Sequence, residues 1–120
     1  MNLENPLFFV SVLVALILLV TGFVLLKFPP KTINYLYGYR TSSSMKSQER
    51  WDFAQNYSAK EMIKFGYIFL VVSVFGLIFH LDEMITMIVV LSILIMGVLV
   101  LFLRVERAIK LKFGAKDQSA

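Results

Sequence analysis

Two long uncharged stretches constrain this chain more than any other feature of its sequence. The residues from Leu7 to Leu26 and from Met84 to Leu103 include no Asp, Glu, Lys, Arg or His. A helix rises about 1.5 Å per residue, so about 20 apolar residues cross the hydrocarbon core of a bilayer. Long apolar runs without alternating polarity satisfy their backbone groups in lipid only as helices. Each stretch therefore predicts a transmembrane helix.

A third, shorter apolar stretch lies between the first two, from Phe65 to Phe79. It crosses a bilayer only if it includes flanking residues or if the bilayer thins locally. We predict a single all-α membrane domain with three transmembrane helices, at about residues 7–28, 62–81 and 84–103. The hydrophobic share of 58% is too high for an ordinary soluble domain. The first stretch lacks a preceding basic region and a following cleavage site, so we expect it to be retained rather than removed as a signal peptide.

The basic residues predict an orientation. All 12 Lys and Arg residues fall in two regions, residues 27–64 and residues 104–116, and the hairpin at His80–Glu83 has none. Basic residues favour the cytoplasmic side, which predicts the N-terminus outside, a cytoplasmic loop at residues 29–61, the hairpin outside and the C-terminus inside. Attraction to anionic headgroups accounts for the net charge of +4 better than nucleic-acid binding does.

The polar parts of the chain also carry helix signals. Pro29 and Pro30 predict the end of the first helix, and Ser44 or Ser47 can cap a second helix that runs from about Gln48 to Leu81. We expect the beginning of this helix to be amphipathic. Its predicted apolar face contains Trp51, Ala54, Ser58, Met62 and Phe65, and its polar face contains Asp52, Asn56, Lys60 and Lys64. The third helix is predicted to continue as a tail helix at residues 104–113 that Gly114 ends, with disorder over residues 115–120.

Several kinds of chemistry have little support in the sequence. There is no cysteine, which excludes disulfides and thiolate catalysis. The single histidine, His80, lies beside two carboxylates in the hairpin, and we interpret it as an interfacial residue rather than a metal ligand. No Asp, Glu, Lys, Arg or His lies within the three apolar stretches themselves, which argues against a stand-alone transporter or channel. We predict no cofactor and no metal site.

The segment Asn34–Tyr57 is the one long polar, aromatic-rich part of the chain. Arg40 offers a planar fork of donors suited to phosphate or carboxylate, and a glycine and hydroxyl residues surround it. The rings of Tyr37, Tyr39 and Trp51 are of the kind that lies at a headgroup interface. Together these residues could bind an anionic group: a lipid phosphate, a peptide carboxylate or an acidic patch on a partner.

A second interpretation of the same segment is purely structural. Arg40 could pair internally with Glu49 or Asp52, and the aromatic side chains could form an ordinary interfacial belt. The two interpretations are compatible, and the sequence leaves both open.

The segment resembles the signature of the SdpI family, named for an immunity protein against a sporulation-delaying peptide toxin of Gram-positive bacteria. The likeness covers about residues 30–81 and resembles the C-terminal module of that longer immunity protein. It implies a small, multi-pass protein of the bacterial cell membrane that protects against a membrane-active peptide toxin or binds a cytoplasmic regulator. The residues that it implies as a binding site are Asn34, Tyr37, Gly38, Tyr39, Arg40, Thr41, Ser44, Lys46, Trp51 and Asn56, and these residues carry the likeness together with Met45 and Ala54.

The alternative function is a membrane enzyme, or a lipid-binding scaffold, acting on an anionic lipid or peptide group at Arg40. The hydroxyls of Ser42–Ser44 are the candidate nucleophiles, and Ser43 and Lys46 match the bare spacing of a Ser-x-x-Lys arrangement. That spacing arises easily by chance, so we favour a protein without enzymatic activity. Membrane lipids are expected partners, and a homo-oligomer is an open alternative because three helices enclose little volume.

Overall fold

The fold consists of three long helices. The computed structural model describes residues 5–118, with side chains described over residues 5–114. Helix α1 spans Pro6–Lys27, α2 spans Gln48–Ile78 and α3 spans Glu83–Gln118. Each is long and apolar enough to cross a membrane, and no strand occurs within residues 5–118. The prediction of an all-α, multi-pass membrane protein with three long apolar helices is confirmed.

Helix α1 begins with a capping residue that also contacts the end of α2. The Asn5 side-chain oxygen accepts a hydrogen bond from the Leu7 backbone N–H at 2.9 Å, and Pro6 occupies the first turn. The Asn5 amide nitrogen donates to the Phe79 carbonyl at 2.9 Å. One side chain therefore holds the start of α1 beside the end of α2.

Helix α2 is longer than a membrane crossing requires. Ser47 caps it and accepts a hydrogen bond from the Arg50 backbone N–H at 3.2 Å. The helix ends at Ile78, three residues before the predicted Leu81, because Phe79 adopts an extended conformation. Its 31 residues measure about 46 Å, whereas a hydrocarbon core is about 30 Å thick. The charged residues of α2, from Glu49 to Lys64, lie at the end next to residues 28–47, which we call the connecting loop; this end of the bundle is the loop end.

The predicted amphipathic face at the start of α2 agrees with the burial of its side chains. Residues on the apolar face are buried or half-buried, and those on the polar face are exposed. The start of α2 packs on the final part of α3 in a buried cluster of its own. Its buried members are Ala54, Val105, Ile109 and Phe113.

Helices α1 and α2 form most of the helix–helix interface, and α3 packs more loosely against them. A Cβ atom on Gly76 would lie 2.5 Å from the Phe8 backbone nitrogen, so glycine permits the two backbones to approach closely. Only 11% of the most apolar part of α3 is buried, against 22% in α1 and 28% in α2. The exposed face of α3 is therefore the largest apolar surface available to lipid.

Helix α3 continues past the predicted end of the tail helix. It passes through Gly114, which was expected to end it, and reaches Gln118. Gly114 has no positive φ, and a Cβ atom there would meet only Lys110 at an ordinary 3.6 Å, so this glycine is an unstrained helical residue. Of the residues predicted to be disordered, 115–118 are helical, and 119–120 lie outside the described residues.

Candidate functional site

Two buried side chains of α2 hold the connecting loop in place. The Trp51 ring is fully buried, and its Nε1 donates a hydrogen bond to the Pro30 carbonyl at 2.7 Å. Gln55, also fully buried, accepts from the Tyr39 backbone N–H at 2.6 Å and donates to the Tyr39 carbonyl at 2.8 Å. The sequence analysis missed Gln55, although it lies one turn after Trp51 on the predicted buried face. A polar residue at such a position is a usable signal of a buried hydrogen-bond partner.

Gly38 allows the loop to approach Gln55. Its φ of +107° is a conformation that residues with a side chain rarely adopt. A Cβ atom at this position would also lie 2.5 Å from the Gln55 side-chain oxygen and 2.8 Å from the Pro30 ring. Glycine is therefore required twice, for the backbone conformation and for space.

Asn34 and Tyr37 stabilise the first turn of the loop. The Asn34 side-chain oxygen accepts hydrogen bonds from the backbone N–H groups of Leu36 at 2.9 Å and Tyr37 at 2.8 Å. This is the local turn that Asn side chains commonly form. The Tyr37 hydroxyl donates to the Phe28 carbonyl at 3.0 Å, which closes the turn against the end of α1.

A carboxylate of α3 joins the connecting loop to the third helix. Glu106 accepts hydrogen bonds from the Tyr39 hydroxyl at 2.7 Å and from the Thr41 hydroxyl at 3.0 Å. Burial above all, and then the hydrogen bond and charge of Glu106, raise the pKa of the Tyr39 phenol above its ordinary range. Glu106 was also missed, although it is an isolated acidic residue in an otherwise basic stretch of sequence.

The hydroxyl cluster serves the loop backbone. The buried Ser44 hydroxyl accepts from the Thr41 backbone N–H at 2.9 Å and lies 3.1 Å from the carbonyls of Tyr39 and Thr41, to which it can donate. The Ser43 carbonyl accepts from the Arg50 guanidinium at 3.0 Å. Among the described residues, every hydrogen-bond partner of the Ser44 hydroxyl is a backbone group, which is the pattern of a structural serine.

Arg40 is exposed, and its guanidinium donates a hydrogen bond to the Tyr35 carbonyl. No ion pair to Arg40 occurs within the part of the chain that the structure describes, so the internal pairing with Glu49 or Asp52, which the sequence left open, does not form there. Asp52 instead accepts from the Gln48 side chain at 2.8 Å.

Arg40 lines an open pocket of about 350 Å³, which we call the loop pocket. The connecting loop contributes residues 37–41 to its lining, α1 contributes Thr21 and Leu25, and α2 contributes Met62. Its lining therefore combines an exposed cation with aromatic, hydroxyl and apolar groups.

The structure divides the predicted binding residues into three groups. Tyr37, Gly38, Tyr39, Arg40 and Thr41 meet at the loop pocket. A second group consists of supporting residues that pack or brace the connecting loop: Asn34, Ser44 and Trp51. A third group is exposed and lies away from the loop pocket: Lys46 and Asn56.

The fold and the site define a small multi-pass membrane protein in which a folded, hydrogen-bonded loop presents one exposed arginine. The chain belongs to the SdpI/YfhL protein family, whose model matches residues 31–103. It is also 35% identical over 95 residues to the uncharacterized protein YfhL of Bacillus subtilis (strain 168), covering 79% of this chain and 81% of that protein. No solved structure matches. The family match extends through α2 and most of α3, beyond the expected residues 30–81.

Proposed function

We propose that this protein is an SdpI-type immunity or signalling factor that protects a bacterial membrane against a peptide toxin, or binds a regulator, through its connecting loop. Family membership supports the class of function. The observation that carries the proposal is the exposed Arg40, which lines the loop pocket and has no ion-pair partner among the described residues.

The chemistry of Arg40 favours an anionic group on a peptide. A guanidinium has five N–H donors, and one described hydrogen bond, to the Tyr35 carbonyl, leaves donors for a carboxylate. Bidentate contacts between arginine and a carboxylate are among the strong hydrogen bonds in proteins. Leu25 and Met62 add an apolar wall, which suits a ligand that has both an acidic group and hydrophobic side chains. A membrane-active peptide with an acidic residue or a free C-terminus has this chemistry.

A deletion strain tests this proposal. Cells without the gene are challenged with a panel of membrane-active peptides and complemented with the wild-type protein, Arg40→Gln or Lys46→Gln. We expect deletion to raise the sensitivity to at least one peptide, and we expect Lys46→Gln but not Arg40→Gln to restore protection. Lys46 is the matched control because it is an exposed cation of the same loop that does not line the loop pocket. Unchanged sensitivity to every peptide, or full protection by Arg40→Gln at equal membrane levels, would contradict the proposal.

An anionic lipid is the second candidate ligand of the loop pocket. Thr21 and Leu25, which belong to the membrane-spanning α1, line its wall, so a lipid could reach it from the bilayer. If Arg40→Gln protects cells fully but reduces the anionic lipid that copurifies with the protein, this alternative replaces the peptide proposal.

A further inference from the structure

A second open cavity lies between α2 and α3, on the part of the bundle where α3 packs loosely. This α2–α3 groove has a volume of about 540 Å³ and opens along the membrane-facing surface. Its apolar wall includes Phe65 and Ile68 on α2, and Ile93, Met96 and Val100 on α3. The size is within the range of about 300–1,000 Å³ that is typical of small-molecule sites.

The loop end of the groove carries charged side chains. The Glu61 carboxylate forms an ion pair with Arg104 at 3.1 Å and a longer one with Lys64 at 3.7 Å. The Glu61 side chain is only 11% exposed, whereas those of Arg104 and Lys64 are 53% and 66% exposed. The Glu61 carboxylate thus orients two accessible cations. Because two positive charges face one negative charge, an anion can bind at this end of the apolar groove.

The length of the groove distinguishes between two possible occupants, a membrane-spanning helix and the acyl chain of a phospholipid. Its lining on α3 runs from Ser92 to Arg104, which corresponds to about 18 Å along the helix. Half of a hydrocarbon core of about 30 Å is close to this length. A membrane-spanning helix would need a groove through both leaflets, whereas one acyl chain with its phosphate at the charged end needs only one leaflet.

We propose that the α2–α3 groove binds an anionic phospholipid from the leaflet at the loop end. Its phosphate contacts Arg104 and Lys64, and one acyl chain lies over Phe65, Ile68 and Met96. The site is separate from the loop pocket, because the two cavities share no lining residue. It stands independently of the immunity or signalling function proposed above.

Native mass spectrometry of the purified full chain in neutral detergent tests the charge of the site. The protein is offered an equimolar mixture of phosphatidylglycerol and phosphatidylcholine. We expect selective retention of phosphatidylglycerol, reduced about fivefold by either Arg104→Gln or Lys64→Gln, because a basic residue near an anionic lipid contributes an effect of this order. Lys110→Gln, which removes an exposed cation of α3 outside the groove, should leave retention unchanged. Equal retention of the two lipids would overturn the proposal.

A groove-filling variant tests the position of the acyl chain. Met96→Trp places a large ring in the groove from a residue that is 63% exposed, so the core of the bundle stays intact. Leu99→Trp is the control, since Leu99 lies at a similar depth, is 53% exposed and does not line the groove. We expect Met96→Trp alone to abolish selective retention. Unchanged retention of phosphatidylglycerol by Met96→Trp would overturn the proposal. So would a wild-type dimer that Met96→Trp dissociates, because a second copy of the chain would then occupy the groove.

Discussion

At the scale of single residues, the connecting loop owes its shape to a few buried side chains of α2. Gln55 pairs with both backbone groups of Tyr39, as a neighbouring strand would, and Trp51 binds the Pro30 carbonyl one turn earlier. Buried polar groups cost free energy unless they are hydrogen-bonded, so these contacts favour one loop conformation over alternatives. The loop is thus a folded part of the protein.

Replacing Gln55 should destabilise the protein substantially. Gln55→Leu removes two part-buried hydrogen bonds of a fully buried side chain and leaves the Tyr39 N–H and carbonyl without those partners. We expect a loss of about 2–4 kcal/mol in the free energy of unfolding, measured by denaturant titration in detergent micelles. Asn56→Ala, at the exposed neighbouring position, should change it by less than about 0.5 kcal/mol. Equal stability of the two variants would show that Gln55 does not hold the loop.

We predict that the raised pKa of the Tyr39 phenol makes the folded protein less stable at alkaline pH. Its pKa is raised in the folded protein, chiefly by burial, so the unfolded chain releases this proton first as the pH rises. The associated stability is fully present below the unfolded pKa of about 10 and decreases as the pH rises above it. We expect Tyr39→Phe to reduce this alkaline decrease, measured as unfolding free energy at pH 8 to 11. Parallel pH profiles for the two proteins would show that Tyr39 does not cause the alkaline decrease in stability.

The sequence predicted the composition of the loop site but not its internal contacts. The turn glycine, the tyrosines and the presence of an arginine follow from residue type. The bonds from Tyr39 and Thr41 to Glu106 do not, because they join positions more than 60 residues apart and depend on the side of α3 that meets the loop. Likewise, nothing local distinguishes an arginine that pairs with Asp52 from one that faces a pocket.

At the scale of helices, hydropathy determined what could be predicted. Uncharged stretches identified α1 and α3, and the helical spacing of apolar residues identified the buried face at the start of α2. The ends were less predictable, because a tertiary contact contributes at one of them: the Phe79 carbonyl, just after α2, bonds to the Asn5 side chain. The prediction that Gly114 ends α3 was wrong, because a glycine ends a helix only where the chain turns.

Two glycine substitutions should distinguish helix packing from helix propensity. Gly76→Ala gains helix propensity, but its new Cβ would lie 2.5 Å from the Phe8 nitrogen, so α1 must shift away from α2. We expect it to lower the free energy of unfolding by about 1–3 kcal/mol. Gly114→Ala should raise it by up to about 1 kcal/mol, since its Cβ makes only ordinary contact. Unfolding in micelles measures both, and a stabilising Gly76→Ala would refute close packing of the two helices.

At the scale of the whole molecule, the distribution of charge predicts an orientation for the bundle. The connecting loop and the end of α3 share one end of the bundle, and this end carries the basic residues. The opposite end has the exposed hairpin around His80, which has none. The positive-inside tendency therefore predicts that the connecting loop is cytoplasmic.

Single-cysteine labelling tests this orientation directly, because the wild-type chain has no cysteine and serves as the blank. Both Ser42 and His80 are exposed, at opposite ends of the bundle. We expect a membrane-impermeant maleimide to label His80→Cys on intact cells and to label Ser42→Cys only after permeabilisation. The reverse pattern would invert the predicted topology.

Helix α2 runs without a break from the Ser47 cap beside the connecting loop to Ile78 at the opposite end of the bundle. It is therefore a continuous rigid helix of about 46 Å. A ligand that tilted its loop end would displace its far end in the opposite direction. The hydrogen bond between Asn5 and Phe79 would transfer that displacement to the start of α1. An event at one membrane surface could thus be transmitted to the other with every helix remaining intact.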